Sequence, residues 1–156
     1  MRRLLILASA LALALAGCLD VPTVADNPTD PATEVFASNL TTLGVDIPHM
    51  TKTALGDYIK DLAIGDGPEL SAPASVVITY QGYLKNGALF GQESEAPINL
   101  SNNGPVGLRD GMIGMRVHGQ RLIVIPSELG YGVNGNAGIP PNSTIVFLVQ
   151  LESITQ

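Results

Sequence analysis

The second half of the chain alternates apolar and polar positions, and this pattern predicts an antiparallel sheet of about five strands. A half-buried strand places apolar side chains at every second position, whereas a helix repeats them every three or four. Residues 85–87 contain an Asn-Gly pair between two such segments, which predicts a hairpin turn. The predicted strands are residues 54–63, 75–84, 88–90, 98–100, 121–125 and 145–151.

One short helix is predicted inside the domain, directly after Pro105. Proline suits the first turn of a helix, and Leu108, Met112 and Met115 recur at helical spacing to give one apolar stripe. Gly111 and Gly114 lower the helix propensity, but they also allow a sheet to approach closely. The pattern therefore predicts an α+β fold, in which an antiparallel sheet wraps around one short helix.

The segment before the last strand, "GNAGIPP" at residues 135–141, combines glycines with two prolines. Proline cannot donate a hydrogen bond to a β ladder and therefore stands at strand starts and in turns. The alternating, β-branched run from Thr144 predicts that a strand follows immediately. We expect residues 135–141 to form an ordered loop that brings side chains to a defined place.

The amino-terminal residues predict export. Arg2 and Arg3 precede an apolar run at residues 4–16, which is too short to span a membrane as a helix. Small residues then lead into Cys18, the only cysteine of the chain, and this pattern resembles the signal of bacterial lipoproteins. The resemblance implies a signal peptide over residues 1–17 and an acylated Cys18 at the mature amino terminus.

The residues after Cys18 predict a flexible tether, over residues 18–49, that precedes a domain at residues 50–156. This stretch contains Pro22, Pro28 and Pro31 and has no sustained apolar period, apart from a weak helical pattern near residues 32–43. The lipoprotein resemblance implies a lipid-anchored protein of the cell envelope. Because Leu19 follows the cysteine in place of aspartate, it favours the periplasmic side of the outer membrane in a Gram-negative source.

Charge and composition restrict the chemistry. The net charge of −6 becomes −8 once Arg2 and Arg3 are removed, which argues against nucleic acid as a partner. His49 and His118 are isolated, and no segment has metal-ligand spacing, a nucleophile elbow, a phosphate loop or a dinucleotide fingerprint. We therefore expect neither a metal nor a cofactor.

Rotation about an Xaa-Pro bond is a reaction that needs none of these groups. Its barrier of roughly 18–20 kcal/mol arises from amide resonance, and no bond to carbon breaks. A dry, apolar pocket disfavours the planar amide relative to the twisted transition state. A ten-thousandfold acceleration needs only about 5.5 kcal/mol, which apolar walls and one or two hydrogen bonds can supply.

Three motifs occur in order over residues 51–153: "VVITYQGYLKNGALF", "VGLRDGMIGMRVHGQRLIVIPSELGYG" and "GIPPNSTIVFLVQLESI". In this order they resemble the FKBP-type peptidyl-prolyl cis-trans isomerases. The resemblance implies an FKBP-like fold and isomerisation of Xaa-Pro bonds in proline-containing unfolded or exported polypeptides. It also implies that the loop at 135–141 curls over a shallow pocket that holds the substrate proline.

The resemblance carries a site onto this sequence. The residues implied to be catalytic are Tyr80, Phe90, Tyr131 and Phe147, and those implied to bind substrate are Ile98, Leu100, Pro105, Val106, Leu108 and Ile139. Leu108 stands where many members have a tryptophan, and Tyr131 matches the tyrosine whose hydroxyl holds a substrate carbonyl. Each aromatic residue taken singly would also suit the core of any small β domain.

Two departures from the family pattern leave an alternative open. Gly91 stands where an aspartate usually follows the wall phenylalanine, and Pro105 or Val106 falls where a backbone N–H meets a substrate carbonyl. A proline at that position has no donor. The alternative is a non-catalytic FKBP-like chaperone or proline-binding module. A third hypothesis, an envelope lipoprotein without a ligand, requires the pocket to be filled by the protein's own side chains.

Overall fold

The computed structural model describes residues 29–155 and contains one antiparallel sheet of six strands in the order β1-β2-β5-β6-β3-β4. β6 is flanked by β3 and β5 and pairs with both along most of its length. The strands are β1 (Thr51–Lys52), β2 (Tyr58–Ala63), β3 (Ser75–Leu84), β4 (Leu89–Asn99), β5 (Gln120–Ile125) and β6 (Ile145–Thr155). The helices are α1 (Ser38–Leu43) and α2 (Val106–Met112).

The inner face of the sheet packs on α2. Side chains at alternate positions of β5, such as Ile123 and Ile125, belong to the same apolar cluster as Leu108 and Met112 of α2. The intervening residues, Leu122 and Val124, belong to a second cluster on the outer face. All of these are buried, which explains why β5 reads as a continuous apolar run rather than an alternating one.

Glycines allow α2 to lie directly on β5. A Cβ at Gly107 would come within 2.5 Å of Ile125 Cγ2, and one at Gly111 within 2.5 Å of Ile123 Cγ2. The predicted close approach is therefore present at Gly111 and at Gly107. Gly114 serves differently, because it lies in the turn after the helix with φ = 82°, a conformation that favours glycine.

A buried arginine fixes the carboxyl end of α2 to the sheet. Nη1 of Arg121 donates to the carbonyl oxygens of Gly111 at 2.9 Å and Ile113 at 3.0 Å. Its Nε and Nη2 donate to the two carboxylate oxygens of Asp61 at 2.6 and 3.1 Å. This two-pronged geometry satisfies a charge that would otherwise be costly to bury.

Several strand boundaries differ from the sequence prediction. The strand expected over 54–63 begins at Tyr58, because Thr53 N–H donates to the carbonyl of Asp57 at 2.8 Å and closes a turn after the short β1. The predicted strands at 88–90 and 98–100 are the two ends of one strand, Leu89–Asn99, since residues 91–93 and 96–97 also pair with β3. With the unpredicted β1 added, the sheet has six strands in place of about five.

The structure differs from the predicted flexible tether over residues 29–49. Leu40, Val45 and Ile47 are buried against Leu122 and Val146 on the outer face of the sheet. These apolar residues are few and irregularly spaced, so no period revealed them, although α1 falls within the weak helical pattern at 32–43. The signal peptide, Cys18 and the tether up to residue 28 lie outside the described residues and stay predictions.

The described chain begins at a polar contact with the start of β6. Ser127 N–H donates to Thr29 Oγ1 at 2.8 Å, and the hydroxyl of Thr144 donates to the same oxygen at 2.7 Å. Thr29 N–H in turn donates to Ser127 Oγ at 3.3 Å. Because Ser127 and Thr144 are buried, these bonds fix the place where the amino-terminal segment meets the domain.

Replacing Leu40 with alanine tests whether the amino-terminal segment belongs to the core. We expect Leu40→Ala to lower the free energy of unfolding by about 2–5 kcal/mol, because it leaves a cavity between α1 and β5. The matched control is Val35→Ala, since Val35 is 88% exposed and its truncation should change stability by less than about 0.5 kcal/mol. Equal small effects in urea unfolding would show that the segment is only loosely attached.

A buried carboxyl pair links the β1–β2 turn to α2. Asp57 is fully buried; burial raises its pKa from 3.8 to about 6, and the neighbouring carboxyl of Asp110 adds to the rise. Thr53 donates to Asp57 Oδ1 at 3.1 Å, which offsets part of this effect. Because the folded protein binds this proton more tightly than the unfolded chain does, stability falls as the pH rises from about 4 through 6.

Asp57→Asn removes this penalty while keeping an acceptor for Thr53 and providing a donor toward Asp110. We expect the variant to gain about 1–3 kcal/mol in the free energy of unfolding at pH 7.5 and much less at pH 4. Urea unfolding at pH 4, 5.5 and 7.5 measures the difference. Glu69→Gln, an exposed carboxyl, is the control, and a parallel pH dependence in all three proteins would contradict the assignment to Asp57.

Candidate active site

A cavity of about 300 Å³ opens between the amino end of α2, the β3–β4 hairpin and the loop before β6. Its walls are mostly apolar or aromatic, as is usual for sites that bind small ligands or side chains. Eight of the ten residues that the family resemblance implies lie together here. The lining residues are Tyr80, Phe90, Gly91, Ile98, Asn103, Gly104, Pro105, Leu108, Tyr131, Asn136, Ala137, Ile139 and Phe147.

Leu100 and Val106, the other two predicted residues, do not line the cavity. Leu100 is completely buried in the inner apolar cluster directly after β4. Val106 is the first residue of α2, and its side chain is 40% exposed. The structure therefore does not place these two residues in the cavity. The turn at residues 100–105 lies between them, and the sequence pattern does not show where it begins and ends.

Three aromatic rings form one wall of the cavity. The ring centroids of Tyr80 and Phe147 are 5.8 Å apart, and Phe90 meets Phe147 edge-on at 5.6 Å with an interplanar angle of 87°. Edge-to-face contact is a favourable arrangement for aromatic pairs. Gly82 of β3 makes it feasible, since a Cβ there would lie 2.5 Å from the ring of Phe90.

Two tyrosine hydroxyls, those of Tyr80 and Tyr131, are among the polar groups of the cavity, together with the amides of Asn103 and Asn136. Burial raises the pKa of Tyr80, and the negative charge of Glu93 raises it further, so this hydroxyl stays protonated at neutral pH. Within residues 29–155, no side chain accepts a hydrogen bond from either hydroxyl at bonding distance. Tyr80 and Tyr131 can therefore donate to a carbonyl oxygen held in the cavity.

The loop before β6 is ordered, as its sequence predicted. Asn136 and Ile139 exchange two backbone hydrogen bonds, at 2.9 and 2.8 Å, and bury the side chain of Ile139. Gly135 and Gly138 have φ values of 64° and 78°, so this reversal depends on glycine. The two prolines that follow lead the chain into β6, and the loop forms one rim of the cavity.

Five lining residues were not predicted individually, although Asn136 and Ala137 lie in the loop expected over the pocket: Gly91, Asn103, Gly104, Asn136 and Ala137. The Asn-Asn-Gly-Pro turn at residues 102–105 carried a usable signal, because Gly104 adopts φ = 79° and turns the chain into α2. Gly91 stands where the family pattern has an aspartate. A Cβ at Gly91 would meet nothing within 4 Å, so the cavity is open on that side.

Another, larger concavity of about 430 Å³ lies where Gln81, Gln92, Gln120 and Gln150 meet. Its lining is mainly amide and hydroxyl groups, with Glu93 at its edge. An apolar cavity with a few convergent polar groups is the better candidate for a binding site. The smaller aromatic cavity is therefore the candidate active site.

Two further features of residues 29–155 concern metals and membranes. No group of three or more histidine, cysteine or acidic side chains in this part of the chain is arranged to hold a metal ion. Likewise, no helix within the described range is long and apolar enough to cross a membrane.

Residues 67–152 match the family model described as FKBP-type peptidyl-prolyl cis-trans isomerase. The chain is 37% identical over 102 residues to an FK506-binding protein of Neisseria meningitidis, and this match covers 62% of the chain and 94% of that protein. The chain belongs to the FKBP-type peptidyl-prolyl cis-trans isomerase family.

Comparison of structures agrees with this assignment. A peptidyl-prolyl cis-trans isomerase from Pseudomonas syringae aligns with a TM-score of 0.64 and 28% identity, covering 70% of this chain and 83% of that one. The predicted FKBP-like α+β fold is thereby confirmed. A Saccharomyces cerevisiae peptidyl-prolyl cis-trans isomerase is 40% identical over 103 residues, which cover 64% of this chain. The chain spans only about a quarter of the length of that and several other relatives.

Proposed function

We propose that this protein is a peptidyl-prolyl cis-trans isomerase that acts on Xaa-Pro bonds of exported polypeptides. The observation that carries the proposal is the apolar cavity walled by Tyr80, Phe90 and Phe147, with the hydroxyl of Tyr131 at its side, in a chain of this family. The cavity is open, which argues against an envelope lipoprotein whose pocket is filled by its own side chains.

The geometry supports catalysis by desolvation. A proline ring placed against Phe90, Phe147 and Ile139 brings its preceding amide out of water. The planar amide has a larger C–O dipole than the twisted one, so an apolar site raises its free energy relative to the transition state. A hydrogen bond from Tyr131 to a flanking carbonyl holds the chain while the amide rotates.

Leu108 and Ile98 complete the cavity without an aromatic ring. Leu108 lies on the face of α2 that packs against the sheet, so the position of the cavity floor follows from the contact of α2 with β5. Pro105, at the amino end of α2, offers no N–H to a bound carbonyl. The donors to substrate in this proposal are therefore side-chain groups: the hydroxyls of Tyr80 and Tyr131 and the amides of Asn103 and Asn136.

The second candidate function is a non-catalytic module that binds proline-containing or unfolded segments as a chaperone. Two observations favour it: Pro105 lacks the backbone donor, and Gly91 leaves one side of the cavity without a polar side chain. Such a module would hold proline in the apolar cavity without stabilising the twisted amide.

Turnover of proline peptides distinguishes the two functions. We expect the protein to accelerate cis-to-trans relaxation of short Xaa-Pro peptides, and Phe90→Ala and Tyr131→Phe each to lower kcat/KM by about 10- to 100-fold. The phenylalanine variant loses one wall, and the tyrosine variant loses a hydrogen bond made to substrate. Relaxation is followed by NMR exchange spectroscopy with several residues before proline.

Ile64→Ala is the control for these variants, because Ile64 is 83% exposed, does not line the cavity and follows β2, which β5 and β6 separate from β3. Unchanged kinetics in both cavity variants would remove the assigned site. A folded protein that binds the peptides and suppresses aggregation without any turnover would instead establish the chaperone.

We propose further that the protein is anchored to the cell envelope through lipid on Cys18, facing the periplasm from the outer membrane in a Gram-negative cell. The support is the sequence before and at Cys18. From Cys18 to the anchored Thr29, eleven residue steps reach at most about 40 Å. The domain would then act on polypeptides that emerge close to the membrane.

Cys18→Ser tests the anchor. We expect the full chain expressed in a Gram-negative host to sediment with membranes and to carry the mass of acyl chains, and the variant to lose both properties because serine cannot form the thioether. Thr23→Ser, a change five residues further on, is the control. Identical membrane partition and mass shift in the variant and the parent would contradict acylation at Cys18.

A further inference from the structure

β4 is an edge strand that runs beside the candidate active site. It pairs only with β3 and stands at the end of the strand order. It is eleven residues long, and in the described chain no strand uses the backbone N–H and C=O groups on its outer side. Phe90 and Gly91, near its beginning, line the cavity. The free edge and the cavity are therefore continuous.

Long free edges are normally protected against pairing with another chain, by bulges, charges or proline. In β4 the irregularities lie at the two ends of one short stretch. Beyond it are Glu95, with φ = 53°, and Pro97. At its beginning the register shifts between Leu89 and Gly91, so that Phe90 has no partner in β3. Between them, Gly91, Gln92 and Glu93 pair regularly with Gly82, Gln81 and Tyr80, so the unprotected stretch is the one beside the cavity.

Gly91 has no role in the internal packing of the fold. Its φ lies outside the positive region, and a Cβ there would meet nothing within 4 Å. Gly82, directly across the strand pair, differs because the ring of Phe90 occupies the space of its missing side chain. A glycine within a strand weakens the strand and often marks the close approach of another backbone.

The same stretch is acidic. Glu93 and Glu95 are exposed, and within residues 29–155 neither forms an ion pair. Glu93 faces Tyr80 across the strand pair and is close enough for its charge to act on the Tyr80 hydroxyl. None of the residues that line the cavity is a cation. A chain lying along this edge would therefore be favoured by positive charge.

We propose that the free edge of β4 from Phe90 to Glu93 binds the substrate chain as an added strand. An extended polypeptide with its proline in the cavity pairs its backbone with this edge, and Glu93 and Glu95 favour substrates with Lys or Arg next to the paired residues. The proposal rests on the proposed isomerase for the role of the cavity, and it names the substrate class: extended, basic segments around a proline. Strand addition of this kind gains affinity from main-chain hydrogen bonds.

The test uses the full chain in detergent with ten-residue peptides that carry one central proline. One series has lysine in the flanks and a matched series has glutamate, and each is N-methylated at one successive position at a time. On one side of the proline, every second N–H of the bound peptide points to the edge of β4. We expect methylation at those positions to lower kcat/KM about three- to tenfold, and methylation at the intervening positions to lower it less than about twofold. A uniform or absent effect would overturn strand pairing.

Hydrogen exchange gives a readout that is independent of turnover. Saturating lysine peptide should slow exchange at alternate amides within residues 90–93, because only every second N–H of an edge strand points outward. Unchanged exchange at these amides, with the cavity occupied, would also overturn the proposal.

The predicted preference for basic substrates is tested with separate variants of Glu93 and Glu95. We expect the lysine series to exceed the glutamate series about fivefold in kcat/KM at low salt, and Glu93→Gln combined with Glu95→Gln to abolish this ratio. Glu69→Gln, an exposed carboxyl that faces Arg116, should keep it. Using the ratio within each protein cancels any effect of Glu93 on the Tyr80 hydroxyl. A ratio that persists in the double variant would overturn the assignment to these carboxylates.

A neutral tetrapeptide separates this proposal from the proposed function. It is too short to lie along the edge, so its isomerisation reports on the cavity alone. In one outcome the tetrapeptide turns over, while the long peptides show no alternating methylation effect and do not slow exchange at residues 90–93. That result would reject binding at the β4 edge and keep the isomerase. Protection at residues 90–93 without turnover would keep the edge and reject catalysis, and no binding of any peptide would reject both.

Discussion

The direct contact of α2 with β5 is the constraint on which the rest of the structure depends. Because Gly107 and Gly111 carry no side chain, Ile125 and Ile123 reach the helix backbone, and a seven-residue helix is held against the sheet. So short a helix is not stable by itself and needs this packing. Arg121 holds the carboxyl end of the helix in place by hydrogen bonds to two backbone carbonyl oxygens. The floor of the cavity is therefore placed by backbone contact and a buried charge.

The aromatic wall of the cavity depends on another glycine, Gly82 of β3. Gly82 leaves the space in which the ring of Phe90 turns its edge to Phe147, and the loop before β6 closes the opposite side through the paired turn of Asn136 and Ile139. These parts are far apart in the chain and meet only because β3, β4 and β6 are neighbours in the sheet. The cavity is open on the side of Gly91, and Pro105 at the amino end of α2 provides no backbone N–H to it. The open side is where the free edge of β4 begins.

The amino-terminal segment gives the sheet a second covered face. Leu40, Val45 and Ile47 bury the outer side of β5 and β6, so the domain has three layers over this region: α1, sheet and α2. The hydrogen bonds of Thr29 fix where the preceding chain leaves this layer. On the other side of the sheet, Asp57 is buried beside α2 and Asp110, and its charged form opposes stability at neutral pH.

The sequence alone determined the strand-rich α+β class, the helix after Pro105 and the ordered loop before β6, because alternation and the placement of glycine and proline are local properties. The residues expected at the cavity came only from the family resemblance of the three motifs. It did not determine that residues 29–49 pack on the sheet, since Leu40, Val45 and Ile47 have no regular period. Nor did it show that residues 89–99 form one strand, or that Leu100 and Val106 do not line the cavity. Those features depend on which strands are neighbours and where a turn ends, and only tertiary packing decides them.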